Sequence, residues 1–215
     1  MKRIFGRYAI SDERDKKYKI KAIKSIRTYR YWNDSKCWGD QLNTPHCVGY
    51  AWMHWLAAAP IISWLNADGI YYLAQQNDEW EGEDYDGTSV RAGAKVLRMI
   101  GLIDSYKWCW DLDMLITTVL DLGPVVVGTN WYTDMENPDK SGILHVSGNN
   151  LGGHAYAITG VSKKTELFRM KNSWNRIWGK NGRAYITFED MAKLIKEDGE
   201  VCLAMEREAK FKVIK

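Results

Sequence analysis

Between Val48 and Ala59 the chain runs for twelve residues without an acid, a lysine, an arginine or a proline, and Pro60 stops it. A stretch of that length with one early Gly predicts a buried helix rather than a strand, and the rest of the fold must pack around it. A loop carrying Gln41 turns at Pro45 and feeds this segment, so Cys47 falls in its first turn. Unpaired N–H groups and the positive dipole end favour an anion there, and a thiol so placed is expected to ionise more easily than a free one. A thiolate is the nucleophile that acyl-transfer chemistry needs. The competing reading is a small buried hydrophobe, the commonest fate of a solitary Cys. At about 100° per residue, Val48, Ala51, Trp52, Trp55 and Ala59 form one apolar stripe, with Cys47 roughly 100° from its centre. The helix alone leaves both readings open.

The 215 residues suffice for one domain or two tightly packed lobes, and 46% hydrophobic with 27% charged residues is ordinary for a globular protein. The 11 Trp and 12 Tyr are not ordinary, and suggest packed cores and a groove that grips extended chains or rings. No run approaches the roughly 18 apolar residues of a membrane span. The start, Met1-Lys-Arg-Ile-Phe-Gly-Arg7, lacks the apolar stretch and cleavage site of a secretory signal. Cys37, Cys47, Cys109 and Cys202 are widely spaced with no C-x-x-C, which suits a reducing compartment better than a disulfide framework or zinc site. A cytoplasmic location is the expectation. Residues 1–30 carry 11 Lys/Arg against 3 Asp/Glu, a local +8, and the remainder carries 19 against 24, or −5. Such an arm can meet a polyanion. With no stacking aromatic or base-reading motif beside it, a solvated arm or one lying on the acidic body is favoured over a nucleic-acid partner.

Along the chain, residues 1–24 read as a basic, mostly irregular arm with extended character around Tyr18-Lys-Ile-Lys21. Residues 25–122 read as a helical lobe: after the Cys47 helix come helices over 61–77, 89–100 (with Thr88 capping or beginning it, and Gly101 ending it) and 111–122, with an acidic loop at 78–87. Residues 123–215 read as a β-rich lobe, with short strands at 124–129, 154–161, 166–170, 183–188 and 201–205 and one short helix at 189–195. Helices followed by strands predict an α+β arrangement with a cleft between the lobes as the natural site.

A thiolate needs a proton acceptor, and four His are available. His46 adjoins Cys47 and would have to fold back on it; His54 lies about 10.5 Å further along the helix at 1.5 Å per residue. His145 sits in a loop rich in Ser, Gly and Asn. His154 follows Leu151-Gly-Gly153 and opens an apolar strand, where the backbone fixes the ring's direction and the glycines leave room for a substrate. Asn172 ends the next strand and offers a side-chain carbonyl to orient that ring, with Trp174 to cover the bond from water. Nucleophile, base and orienting group satisfy the logic of a triad if the two lobes meet.

Gln41-x5-Cys47, Gly153-His154-Ala155, and Asn172-Ser-Trp174 with Trp178-Gly-x-Asn-Gly182 resemble the motifs of papain-like cysteine peptidases, in that family's order. The resemblance runs from about Tyr29 to the C-terminus, and its most specific part is the Asn-Ser-Trp…Trp-Gly-x-Asn-Gly block. It implies a two-lobed papain-like fold, with a helical left lobe, an antiparallel β-barrel-like right lobe and an active-site cleft between. It implies Cys47 as nucleophile, His154 as general base and then acid, Asn172 as orienting group, and Gln41 as oxyanion donor beside the Cys47 N–H. It further implies that Asp86 and Gly87 match a strip whose backbone pairs with an extended polypeptide, and that Thr88 and Ala155 border the main side-chain pocket; Trp174 completes the expected substrate contacts. No cofactor and no metal are expected. The sequence departs from the family pattern around the nucleophile, where Cys-Gly-Ser-Cys-Trp is replaced by Thr44-Pro-His-Cys47-Val48. His154 and Asn172 follow Cys47 by 107 and 125 residues, against about 130–150 in the family, so loops are trimmed. Gly153 stands where plant members carry an acid, no long inhibitory prosegment is expected, and the arm with Asp12-x-Arg-Asp-x-x-Tyr18 resembles that of compact bacterial and viral relatives. The expected function is a cysteine endopeptidase. The rivals are an idle papain-like docking or structural protein and a cysteine amidase acting on cell-wall peptides.

Overall fold

Val125-Val126-Val127 offers valine to both sides of the chain, and a strand there is buried only if both faces of its sheet are covered. The computed structural model, which describes residues 3–10, 13–18, 20 and 25–206, has that arrangement. Its strands are β1 (Tyr29–Tyr31), β2 (Ile103–Cys109), β3 (Val125–Tyr132), β4 (Asn150–Ser162), β5 (Leu167–Lys171), β6 (Arg183–Thr187) and β7 (Glu200–Glu206). They pair antiparallel in the order β2-β7-β3-β4-β5-β6, with β1 on the far end of β4. The helices are α1 (Cys47–Ala57), α2 (Ala67–Gln75), α3 (Val90–Met99), α4 (Leu112–Asp121) and α5 (Phe188–Lys196).

Alternation along the strands sorts side chains into two cores. Val125, Val127, Tyr156, Ile158, Val201 and Leu203 pack with Leu115 of α4, Phe168 and Leu194 of α5. Val126, Ala155 and Cys202 point the other way, onto Val48, Trp52 and Trp55 of α1 and Val90 and Leu97 of α3. A leucine wholly buried like Leu97 is favoured by about 1.5–3 kcal/mol over an exposed one. Two indoles tie α1 in place: Trp52 Nε1 donates to the Val90 carbonyl at 3.0 Å, and Trp55 Nε1 to that of Pro124 at 2.9 Å.

Several expectations are corrected. Helix α1 is buried on nearly every side, so Cys47 lies inside an apolar core although it is off the stripe. The helix expected over 61–77 is confined to α2, because Asn66 caps it by accepting from Gly69 N–H at 2.8 Å, a bond that competes with continuing helix on the N-terminal side. Ser89, not Thr88, caps α3, accepting from Ala92 N–H at 3.0 Å. Within the expected irregular arm, Glu13–Tyr18 forms a short 3-10 helix; the extended character around Tyr18–Lys21 falls largely outside the described residues. Strands β1 and β2 come from before residue 122 and join the sheet through β4 and β7, so the sheet draws on both halves of the chain.

Candidate active site

The loop before α1 is zipped to the segment after β5. Gln41 N–H donates to the Ser173 carbonyl and Asn175 N–H to that of Gly39, both at 2.9 Å, and Asn175 Nδ2 reaches Asp40 Oδ2 at 2.8 Å. This pairing holds the Gln41 side chain from both ends. Its Oε1 accepts from Ser173 Oγ at 2.5 Å, and its Nε2 donates to the carbonyls of Thr44 at 2.9 Å and Ile4 at 3.2 Å.

His154 lies in β4 opposite Thr129 of β3, on the same face as Tyr156. Its Nε2 is 2.8 Å from Asn172 Oδ1, which also accepts from Ser173 N–H at 2.8 Å. The Ser173 N–H can only donate, so its partner is the amide oxygen; that oxygen can only accept, so Nε2 carries the ring proton and Nδ1 keeps a free lone pair. Nδ1 is buried without a hydrogen-bond partner among the described residues. Asn172 is held in turn by its N–H on the Gly182 carbonyl at 3.1 Å, and Gly182 sits at φ 72°, a conformation other residues adopt at a cost, which explains the glycine closing the Trp178–Gly182 turn. Around the imidazole stand Trp131, Trp174 and Phe5, with ring centroids 4.7, 5.3 and 5.7 Å away. Burial pushes the His154 pKa down to about 4, the Arg3 charge acts the same way, and the Asn172 bond opposes them.

Cys47 opens α1 and is wholly buried. Burial pushes its thiol pKa up, against hydrogen bonds from the backbone N–H groups of Ala155, Gly6 and Val48 and the nearby charge of Arg7. The expectation of easier ionisation is therefore reversed in this form of the protein. The sulfur lies against the residue next to His154, and Gly6 of the N-terminal arm lies beside it.

Residues 3–10 run along the cleft. Arg3 stacks its guanidinium 4.3 Å from the Trp174 ring, the Ile4 carbonyl rests on Gln41, Phe5 meets His154 and Gly6 faces the sulfur. Arg7 N–H then donates to the Gly153 carbonyl at 2.9 Å, while Thr88 pairs with the arm on both sides of Arg7: its N–H to the Gly6 carbonyl at 2.9 Å, its carbonyl from Tyr8 N–H at 3.0 Å. Among the described residues Gly87 makes no such pairing; its N–H goes to Tyr71 Oη at 2.9 Å and its carbonyl accepts from Gln75 Nε2 at 3.3 Å. Asp86 is exposed beside it, and Ala155 is buried with its N–H on the sulfur. The structure thus gathers Gln41, Cys47, His154, Ala155, Asn172, Trp174 and Thr88 around one stretch of the arm.

The other imidazoles are engaged elsewhere. His54 Nε2 accepts from Gly39 N–H at 3.1 Å, and burial lowers its pKa to about 3. His46 pairs with Asp68 at 2.7 Å and stacks on Tyr71, and exposed His145 pairs with Asp139 at 3.1 Å. Sequence reasoning missed Trp131, Ser173 and the docking of residues 3–10. Ser173 lies within the Asn172-Ser-Trp174 block and is legible as part of it; the other two carry no local signal. Among the described residues, no group of three or more His, Cys, Asp or Glu is arranged to hold a metal, and no helix is long and apolar enough to cross a membrane.

Residues 69–205 match the model of the papain family of cysteine proteases, and the chain belongs to that family. The matched span holds His154 and Asn172; Cys47 and Gln41 precede it. Among curated relatives, a cathepsin B-like cysteine proteinase of Schistosoma japonicum is 43% identical over 67 residues, covering 30% of this chain and 19% of its own length. An uncharacterized peptidase C1-like protein of Acanthamoeba polyphaga mimivirus is 24% identical over 156 residues, covering 53% of this chain and 50% of its own. The chain thus spans half or less of the length of these relatives. Among solved structures, xylellain, a cysteine protease from Xylella fastidiosa, superposes with a TM-score of 0.79 at 18% identity, covering 96% of this chain and 98% of that one. The bromelain protease of Ananas comosus gives 0.64 at 12% identity, covering 85% and 100%. The fold is the papain-like α+β fold.

Proposed function

We propose that the chain is a cysteine endopeptidase that cleaves an extended polypeptide through a thioacyl intermediate on Cys47. The observation that carries this reading is the His154–Asn172 bond of 2.8 Å, which leaves the Nδ1 lone pair unused on the strand that presents Ala155 N–H to the sulfur. In the reaction His154 takes the thiol proton, the thiolate attacks the scissile carbonyl, and Gln41 Nε2 with the N-terminus of α1 receives the developing oxyanion. A donor of this kind contributes about 2.7–4 kcal/mol to the transition state. His154 then protonates the leaving amine, and water releases the acyl group.

A substrate reaches Cys47 only after the arm has withdrawn, because the sulfur is fully covered in the docked form. Withdrawal restores water to both groups and removes the burial that keeps thiol and imidazole neutral, so the ion pair forms in the open state. The test is Cys47→Ala beside the unaltered chain, measured by mass-spectrometric profiling of peptide cleavage and by labelling with a cysteine-directed epoxide. Both signals should vanish with an unchanged circular-dichroism spectrum. Cleavage that persists in Cys47→Ala refutes the assignment.

A further inference from the structure

Gly87 lies against the docked arm, yet among the described residues its N–H and carbonyl pair with none of it. A Cβ on Gly87 would come within 2.8 Å of the Gly6 carbonyl oxygen and of the Tyr8 ring, so this close approach needs a glycine, held at φ 139°. Helix α2 claims both polar groups from the other side, one turn apart: Tyr71 Oη accepts from the N–H at 2.9 Å, and Gln75 Nε2 donates to the carbonyl at 3.3 Å. Gln75 is itself placed by donating to the Tyr85 carbonyl at 2.9 Å. Thr88, left to pair with the arm, is held by its hydroxyl on Asp78 Oδ2 at 2.7 Å. Tyr71 is 2% exposed and stacks at 4.0 Å on His46, the residue before Cys47, which pairs with Asp68. Gly49, the early glycine of α1, lets α2 come this near: a Cβ there would overlap the Ala67 carbonyl and press on Tyr71 Cβ at 3.1 Å. One tyrosine therefore bridges the loop that leads to Cys47 and the strip that pairs with a chain in the cleft.

We propose that Tyr71 is a positioning residue for a bound polypeptide: its hydroxyl turns Gly87 inward and so fixes Thr88 as the residue that pairs with the bound backbone. The assignment follows from what a buried amide needs. With Oη removed, the Gly87 N–H loses its acceptor in a buried site, and it regains one only if the strip rotates toward solvent or toward the bound chain. Either movement carries the Thr88 N–H and carbonyl off the line they hold, 2.9 and 3.0 Å from their partners on the arm. The Tyr71 ring cannot follow the strip, because the stack on His46 and the close pass of α1 fix it. The hydroxyl thus acts on the binding of chains long enough to lie along Thr88, and not on the proton transfers at Cys47.

The proposal rests on the peptidase reading for its kinetic measurement alone, so two readouts separate them. Tyr71→Phe keeps the ring and deletes one oxygen. The full-length variant and the unaltered chain are compared on a tetrapeptide amide, long enough to lie along Thr88 as residues 6–8 do, and on an amide of one residue, which is too short. Both substrates need the arm withdrawn, so the ratio of their kcat/KM values cancels that step. The ratio, long over short, should fall about tenfold in Tyr71→Phe, equivalent to one hydrogen bond of about 1.4 kcal/mol. A tyrosine that served the fold alone would slow both substrates alike and leave the ratio where it was. The second readout is amide hydrogen exchange in full-length Cys47→Ala with and without Tyr71→Phe. Exchange at Thr88 and Tyr8, whose N–H groups make the pairing of strip and arm, should speed up about tenfold. Phe168, inside the sheet on β5, is the reference and should keep its rate. Faster exchange at the two sites supports the proposal even if no peptide is cleaved, a result that would sink the peptidase reading alone. An unchanged length ratio overturns the proposal, as does exchange that is unaltered at Thr88 and Tyr8 or raised equally at Phe168.

Discussion

The imidazole of His154 can accept a proton at Nδ1 only while Nε2 carries the other, and Asn172 is the described residue that holds it so. Asn172→Ala removes the acceptor from both Nε2–H and the Ser173 N–H, two buried donors whose loss costs about 1–3 kcal/mol each. Urea unfolding should register that loss, and kcat should fall by about 10²-fold as the ring loses its fixed direction. Gln41 offers a sharper kinetic test. Gln41→Ala should lower kcat by about 10²–10³ with a smaller change in KM. Ser173→Ala, which frees the Gln41 amide at its Oε1 end, should lower it in the same direction by less. Steady-state kinetics on the two variants checks the order; an equal or larger loss in Ser173→Ala contradicts it. These residues were legible in the sequence because they sit in short motifs. Trp131 was not, since only the pairing of β3 with β4 brings its ring to within 4.7 Å of the imidazole.

Among the elements, α4 and α5 were close to their expected spans because each carries its own start signal, Asp111 and Thr187, whose side chains accept from Met114 and Asp190 N–H. Strand β2 was not read at all: Asp104 and Ser105 are exposed polar residues at an edge, and what makes them a strand is the pairing with β7. The contact of α1 with α3 gives a prediction whose sign opposes helix propensity. Gly93→Ala would gain up to about 1 kcal/mol in an isolated helix. Here a Cβ on Gly93 would overlap the Trp52 indole, which is tethered by its bond to the Val90 carbonyl and has no open side to move into. Overpacking of about 1–3 kcal/mol should win, and the melting temperature should drop. Ser89→Ala should destabilise by about 1 kcal/mol through loss of the α3 cap.

For the molecule as a whole, two imidazoles held neutral by burial tie stability to pH. His154 and His54 take up protons only near pH 4 and pH 3, whereas an unfolded chain does so near about 6.5. Unfolding therefore binds protons below about pH 6.5, and stability falls as pH drops from there toward 4. Asp34 acts in the same sense at lower pH. Although burial raises its carboxyl, bonds from Arg183 and Thr159 and the charge of Arg169 prevail and hold it below the ordinary range. Glu200, raised by burial, acts in the opposite sense. The urea midpoint should decrease steadily between about pH 7 and pH 4, and a midpoint that rises on acidification would contradict the balance.

The sequence by itself determined which groups stand as candidates for the site and their order, the buried helix that carries Cys47, and the apolar strands whose both faces needed cover. Each of those is written in residues a few positions apart, where periodicity, capping and motif spacing act. The tertiary structure alone decided that the thiol is covered and neutral, that residues 3–10 lie along the cleft, and that Arg7 ends on Glu200. That pair joins residues 193 positions apart, and its energy comes from excluding water around a charge, a condition created only when the sheet, α1 and the arm close together.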